Sequence, residues 1–255
     1  MLDIEYGICL LPSVPCRKEG ADSAEMVSQL LYGELYTVIE KEEKWILIRS
    51  LLDNYDAFIC QKQFFSISPE EFQKLSTSNR KVIVNSQEPF RPFDGAHLIM
   101  PGGSIEIPGK LAQQEGFVSS LSANGDELLK MAQQYKGAPY LWGGKTTLGI
   151  DCSGFMQVIY RAIGVHLPRD AWQQASQGEA VNFIEECITG DMAFFDNDKG
   201  RITHVGMIMK EEGELKIIHA SGWVRVDTLD HQGIFAADRQ GYSHKLRTLR
   251  RLLPE

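Results

Sequence analysis

Asp151-Cys152-Ser153-Gly154-Phe155 is the stretch whose reading decides the fold. It follows the Gly-rich Tyr140-Leu141-Trp142-Gly143-Gly144 and opens an apolar run, Phe155 to Ile163, that ends at Gly164. That order reads as loop, cysteine, helix. Asp151 suits the N-cap, because its carboxylate can accept from the first unpaired N–H groups of a helix. Cys152 then falls in the first turn, where the positive end of the helix dipole favours a thiolate. The thiolate is the nucleophilic form of cysteine. A buried, inert cysteine is the other reading of the same five residues. A nucleophile needs a base to tell the two apart.

Gly190 to Asp196, Thr203 to Met209 and Glu214 to Ala220 are short apolar runs. Asn197-Asp198-Lys199-Gly200 and Lys210-Glu211-Glu212-Gly213 separate them. Such runs between turn residues predict an antiparallel meander. His204 lies near the start of its middle strand and His219 near the end of its last. If the second hairpin is symmetric about Glu211 and Glu212, the two histidines are directly opposed on one face. A single bulge at the turn breaks that pairing. One histidine in a strand reads as a structural residue; two facing each other downstream of a helix-capping cysteine read as a base and its orienting partner. Cysteine on a helix, then histidine and a polar residue on a sheet, is a papain-type order.

Together with Pro168-Arg169-Asp170, Gly190-Asp191-Met192, Thr203-His204-Val205-Gly206 and His219-Ala220, these residues resemble the NlpC/P60 cysteine peptidases. The resemblance covers the half of the chain from about Asn124 onward. It implies an α+β fold in which a helix bearing the cysteine packs on an antiparallel sheet. It implies a catalytic triad of Cys152, His204 and His219. It also implies hydrolysis of amide bonds in bacterial cell-wall peptides, commonly beside D-glutamate, with no metal or organic cofactor.

At 255 residues the chain is long for one domain and suits two or three small ones. A net charge of −8 with no basic cluster argues against a nucleic-acid partner. The basic Lys245 to Arg251 stretch is interleaved with leucine and reads as a solvated C-terminal strand. Met1 to Leu11 lacks a basic n-region, and no stretch is long enough to span a bilayer. The five cysteines are odd in number and contain no C-x-x-C pair, which suits a reducing compartment. The expected location is the cytoplasm, or the periplasm or exterior if a signal has been removed. The expected oligomeric state is a monomer.

Ahead of the catalytic half, Glu34 to Glu40, Trp45 to Ser50 and Ala57 to Cys60 are strand-like, with turns at Glu42-Glu43 and Asp53-Asn54. The Val14-Pro15 to Gly33-Glu34 segment and Trp45 to Tyr55 resemble a bacterial SH3-like domain, although Met26-Val27 and Leu30-Leu31 equally read as a core stripe. Ser66 to Asn79, with Pro69-Glu70-Glu71, reads as a short helix or linker. Short strands broken by prolines from Arg80 to Val118 fit a second, divergent SH3-like module. The expected organisation is an SH3-like barrel over 1–66, a linker and second barrel over 67–122, and the peptidase domain over 123–255.

Two SH3-like modules before an NlpC/P60 domain resemble the γ-D-glutamyl-L-diamino-acid endopeptidases, which trim free muropeptides such as L-Ala-γ-D-Glu-diamino acid. By that resemblance Glu25 and Tyr55 of the first module, with Asp151, hold the substrate's free amine. An ammonium enclosed by carboxylates and a phenol gains charge-assisted hydrogen bonds, and such a pocket rejects an acylated nitrogen. Tyr140 matches a hydroxyl donor near the oxyanion, and Trp142 an apolar wall. Ser153 and Asp170 match residues that contact the dipeptide. Ala171 stands where serine is frequent in this group, which removes one hydrogen bond to substrate. Arg169 is read as pairing with a carboxylate, either the substrate's or that of Asp170, or as a structural ion pair. His166, just after Gly164, reads as a loop residue at a helix end, and His97, His231 and His244 have no partners at metal-ligand spacing. Cys9, Cys16, Cys60 and Cys187 read as small core or surface residues. The alternatives are a lysin of intact peptidoglycan, an amidase or acyltransferase on the same fold, and a non-catalytic wall-binding protein.

Overall fold

The computed structural model describes residues 4–78, 82–84, 101–103, 106–107, 110–111, 122–211 and 213–253. The chain divides into two units, Met1–Ser120 with Trp142–Thr146, and Leu121–Leu141 with Thr147–Glu255. Among the described residues no helix is long and apolar enough to cross a membrane.

The first unit holds β1 (Tyr6–Ile8), β2 (Ser13–Arg17), β3 (Met26–Leu31), β4 (Leu35–Lys41), β5 (Trp45–Ser50), β6 (Asp56–Cys60) and β7 (Ser66–Ile67). It also holds helix α1 (Pro69–Thr77) and the short pieces β8 (Glu106–Ile107), β9 (Lys110–Leu111) and β10 (Lys145–Thr146). β1 to β7 form one antiparallel sheet in the order β3-β2-β6-β5-β4-β1-β7. Every second residue turns inward, Val14 and Cys16, Ile46 and Ile48, Ala57 and Ile59, as a half-buried sheet requires. Leu30 of β3 and Tyr36 of β4 share that core although three strands separate β3 from β4, so the sheet is curled.

The expected strands at 34–40, 45–50 and 57–60 are β4, β5 and β6, and Asn54 takes a left-handed φ of 56° in the expected turn. The segment read as short helix or linker is a helix. Pro69 opens it, and Ser68 and Glu71 cap each other's backbone N–H at 3.2 and 3.1 Å. Phe72 and Leu75 of α1 bury against Ile8, Leu35 and Ile67, and β7 pairs with β1. Most of the second module expected over 67–122 lies outside the described residues, as does His97.

The second unit holds helix α2 (Gly125–Gln133), β11 (Gly149–Ile150), α3 (Cys152–Arg161), α4 (Ala171–Gln174), β12 (Glu179–Val181), β13 (Met192–Asp196), β14 (Ile202–Glu211), β15 (Glu214–Ser221), β16 (Trp223–Leu229), β17 (Gly233–Ala236) and β18 (Gly241–Arg251). Its sheet runs β12-β18-β13-β14-β15-β16-β17, and β17 also pairs with β18. β18 thus bridges the two sides and closes the sheet: Ile234 faces its His244, while Ala193 faces its Leu249. All ten residues of α3 are buried. The helix packs on β14 and β15, and the core of Ala193, Phe195, Ile208, Ile217, Ile234 and Leu249 fills the enclosed face. β14 is therefore covered on both faces from His204 to Met209, which explains its unbroken apolar run.

The meander is as expected, but its register differs. Glu211 closes against Glu214, and Ile208 faces Ile217, so the hairpin turns one residue later than symmetry about Glu211 and Glu212 requires, which shifts each cross-strand partner by two. A shift of two keeps both histidines on one face and makes them diagonal rather than direct neighbours. The position beside His219 belongs to Gly206, where a Cβ would sit 2.8 Å from the His219 Cβ. The C-terminal stretch expected to be a solvated strand is β18, paired on both edges, with its arginines engaged. Arg251 reaches buried Asp191 at 2.8 Å, and Arg250 donates to the Ala175 carbonyl at 2.7 Å.

Candidate active site

Asp151 has extended backbone (φ −97°, ψ 175°), and its Oδ1 accepts from the Gly154 N–H at 2.7 Å. It is the N-cap of α3, as expected. The same carboxylate is gripped by Arg169, Nη2 to Oδ2 at 2.5 Å and Nη1 to Oδ1 at 3.1 Å. Arg169 Nη1 also donates to the Ser153 hydroxyl at 2.8 Å. Arg169 and Asp151 side chains are only 2% and 7% exposed. Arg169 therefore pairs with Asp151, and neither with Asp170 nor in the open with a substrate carboxylate. Asp151 and Ser153, expected to touch substrate, both have buried structural partners.

Cys152 opens α3, with Sγ 4.0 Å from the carbonyl oxygen of Thr203, the residue before His204. The helix start was expected to favour a thiolate. Burial, then the charge of Asp151, instead push the thiol up to about 12, against smaller help from a Val205 backbone hydrogen bond and Arg169. The resting group is a thiol, and attack needs a base. Tyr140 is half-buried. Burial, then Cys152 and Asp151, raise its phenol, so it keeps the proton an oxyanion donor must offer.

The histidines form a chain that continues beyond the expected residues. His204 Nε2 lies 2.8 Å from His219 Nδ1, and His219 Nε2 lies 2.9 Å from Asp227 Oδ2. Arg225 Nη2 donates to Asp227 Oδ1 at 2.8 Å and, with Nη1, to Asp238 at 2.8 and 3.0 Å. Burial works to raise the Asp227 carboxyl, and the bonds from His219 and Arg225 outweigh it, holding it below the usual carboxylate range. Burial, then His219 and His244, hold His204 well below the usual histidine range, so it is a neutral base at pH 7.

Sequence reasoning missed Asp227, Arg225 and His244. The tight turn at Gly222 pairs His219 with Arg225, which leaves Asp227 diagonal to His219, one strand on from the His204–His219 diagonal. Locating that turn from Ser221-Gly222 was the available signal. His244, read as unpartnered, stacks on His204 with centroids 4.1 Å apart and planes at 22°. Ligand atoms of His204, His219 and His244 fall within 4.8 Å of one another. Two nitrogens on a tetrahedral zinc stand about 3.3 Å apart, from Zn–N of about 2.0–2.1 Å. The 2.8 Å contact is a hydrogen bond instead, and stacked rings send their lone pairs alongside each other, so the cluster is a packed relay and not a metal cage.

Burial, then His219 and Arg239, lower His244 to about 4. An unfolded histidine binds its proton near pH 6.5, so acidification from about 6.5 to about 4 protonates the unfolded chain first. Stability is full above that window and falls within it. Melting temperature plotted against pH should drop across this range, and His244→Phe, which keeps an aromatic ring against His204, should drop less.

Of the other expected binding residues, Asp170 lies in the second unit and Glu25, Trp142 and Tyr55 in the first. Asp170 caps α4 and accepts from Trp172 Nε1 at 3.3 Å, and Ala171 is buried behind it. Within the first unit, Trp142 Nε1 donates to Glu25 Oε1 at 2.7 Å, which brings two expected residues together. Lys145 of the same strap forms a buried pair with Glu34 at 3.2 Å. Tyr55 packs at the edge of the first core.

A family model described as the NlpC/P60 family matches residues 137–240, and one described as the bacterial dipeptidyl-peptidase Sh3 domain matches residues 16–63. The chain is 24% identical over 264 residues to a gamma-D-glutamyl-L-lysine dipeptidyl-peptidase of Bacillus cereus, covering 90% of this chain and 76% of that one. It is 40% identical over 127 residues to "Probable endopeptidase NlpC" of Escherichia coli K12, covering 49% and 77%. A crystal structure of an NlpC/P60 family protein from Bacillus cereus superposes with a TM-score of 0.79 at 19% identity, over 98% of this chain and 100% of that one. At that identity the likeness concerns the fold.

Proposed function

The chain belongs to the NlpC/P60 family, and from that premise we propose that it is a cysteine peptidase cutting the γ-D-glutamyl–diamino acid bond of muropeptides with a free N-terminal L-Ala. The observation that carries the catalytic part is the unbroken chain His204–His219–Asp227 beside a cysteine at a helix start. The name of the Bacillus cereus relative supports the choice of bond.

In this reading His204 takes the Cys152 proton as sulfur attacks the γ-glutamyl carbonyl. General-base help at the moment of attack is what a buried, protonated thiol requires. The backbone N–H of Cys152 and the phenol of Tyr140 receive the oxyanion. The amine of the diamino acid leaves with the proton from His204, and water hydrolyses the thioester. His219 orients His204 and stabilises its imidazolium.

The test is cleavage of L-Ala-γ-D-Glu-L-Lys and its meso-diaminopimelate counterpart, free and N-acetylated, read by mass spectrometry. Only the free peptides should be cut, between D-Glu and the diamino acid. Equal cutting of the acetylated peptides, or clearing of purified sacculi, favours a wall lysin. Cutting at another amide alone reopens the substrate class.

A further inference from the structure

We propose that Asp227 is a positioning residue that fixes the protonation pattern of both histidines, so that His204 presents an unprotonated Nδ1 to Cys152. The inference rests on the cysteine-peptidase reading of the site, and not on the identity of the substrate.

An ionised carboxylate only accepts hydrogen bonds. Asp227 Oδ2, 2.9 Å from His219 Nε2, therefore requires the proton on that nitrogen. With one proton on its ring, His219 has its lone pair on Nδ1, 2.8 Å from His204 Nε2, so His204 carries its proton there. Its Nδ1 is the nitrogen left to take the thiol proton. With neutral rings and an ionised Asp227, no other assignment satisfies both contacts. Arg225 sets the direction, because its bond to Oδ1 at 2.8 Å turns Oδ2 toward His219. Arg225 is itself held by Asp238 and lies over the Trp223 ring at 4.8 Å. Among the described residues, the charged or titratable groups placed against the relay are Cys152, with Sγ 4.0 Å from the Thr203 carbonyl oxygen, His244, Arg225 and Asp238, with Arg239 acting on His244. His219 and Asp227 are 1% and 6% exposed at the side chain, so water does not scramble the pattern.

An unusual order of variants follows. In Asp227→Asn, Arg225 still claims the oxygen, which turns the amide NH2 toward His219. His219 must then accept at Nε2 and donate from Nδ1, and His204 is left with its proton on the wrong nitrogen. The same inversion in a serine-protease triad lowers kcat by about 10⁴, and here, one residue further from the nucleophile, a loss of about 10²–10³ is expected. Asp227→Ala imposes no direction and should lose about tenfold, although it leaves a larger void. The isosteric variant should thus be the less active of the two. Arg225→Gln combined with Asp227→Asn frees the amide to turn and should recover part of the loss.

The experiment measures these four proteins in two assays. One is turnover of the free tripeptide. The other is the pH dependence of Cys152 alkylation by iodoacetamide, which reads the base without any peptide substrate. Nitrogen-15 shifts of wild-type His204 and His219 report the protonated nitrogens directly, whatever the variants' folding. Nε2 protonation of both rings, with Asp227→Asn slower than Asp227→Ala in alkylation, supports the assignment. Proton on His204 Nδ1 in wild type, or Asp227→Asn within threefold of wild type, overturns it. Alkylation in the expected order without tripeptide cleavage upholds the relay and rejects only the substrate.

Discussion

Cys152→Ala should lower kcat/KM on the free tripeptide by at least about 10⁴-fold and leave the fold intact. The side chain is 6% exposed and sits at the first position of α3, so the variant loses one sulfur from a packed place, at a cost of about 1 kcal/mol. No other thiol can take over. Cys9, Cys16 and Cys187 are buried, and burial raises all three; Cys60 lies on β6 in the other unit. Cys152→Ser should be nearly as inactive, because His204, a weakened base, must then deprotonate a much weaker acid. Wild-type activity should persist below pH 6.5, since His204 stays neutral there. Single-turnover cleavage followed by mass spectrometry, beside a thermal melt, checks both halves. More than about 1% residual turnover in the folded alanine variant would place the nucleophile elsewhere.

The sequence made the helix bearing Cys152 and the meander carrying the histidines legible, because both rest on local signals. Asp151 caps, Gly164 follows the end, and apolar runs alternate with turn residues. The register escaped by two residues because it depends on which of four polar turn residues form the tip, a matter of local backbone geometry. The candidate pair survived that error, since a shift of two preserves the face. β16 was hidden because its interior carries Arg225 and Asp227, charges that a strand on a closed sheet does not advertise. They are tolerated because each meets a partner on a neighbouring element. β18 looked solvated for the same reason: its arginines answer Asp191, Asp196 and the Ala175 carbonyl, all distant in sequence. Arg169 was legible as an ion-pairing residue, but its partner lies 18 positions upstream and only folding chooses Asp151 over adjacent Asp170.

That choice makes Asp151→Ala the substitution with the largest expected cost in stability. The carboxylate does two things at once. It caps α3, a contribution of about 0.5–2 kcal/mol. It also neutralises Arg169, and stripping one partner from a buried ion pair costs about 3–5 kcal/mol because the other charge stays desolvated. The two losses share one carboxylate and do not simply add, so a total of about 3–5 kcal/mol is expected, a large part of a stability of about 5–15 kcal/mol. Asp151→Asn keeps an acceptor for the Gly154 N–H but leaves the guanidinium without its anion, and should fall between wild type and alanine. Arg169→Met added to Asp151→Ala removes the orphaned charge and should restore part of the loss, which a pure capping role does not predict. Urea midpoints for the four proteins decide the matter. An alanine variant within about 1 kcal/mol of wild type, or a double variant no better than the single, would show that Arg169 finds solvent when its partner is gone. In that event the start of α3 is held by the sheet beneath it and not by this pair.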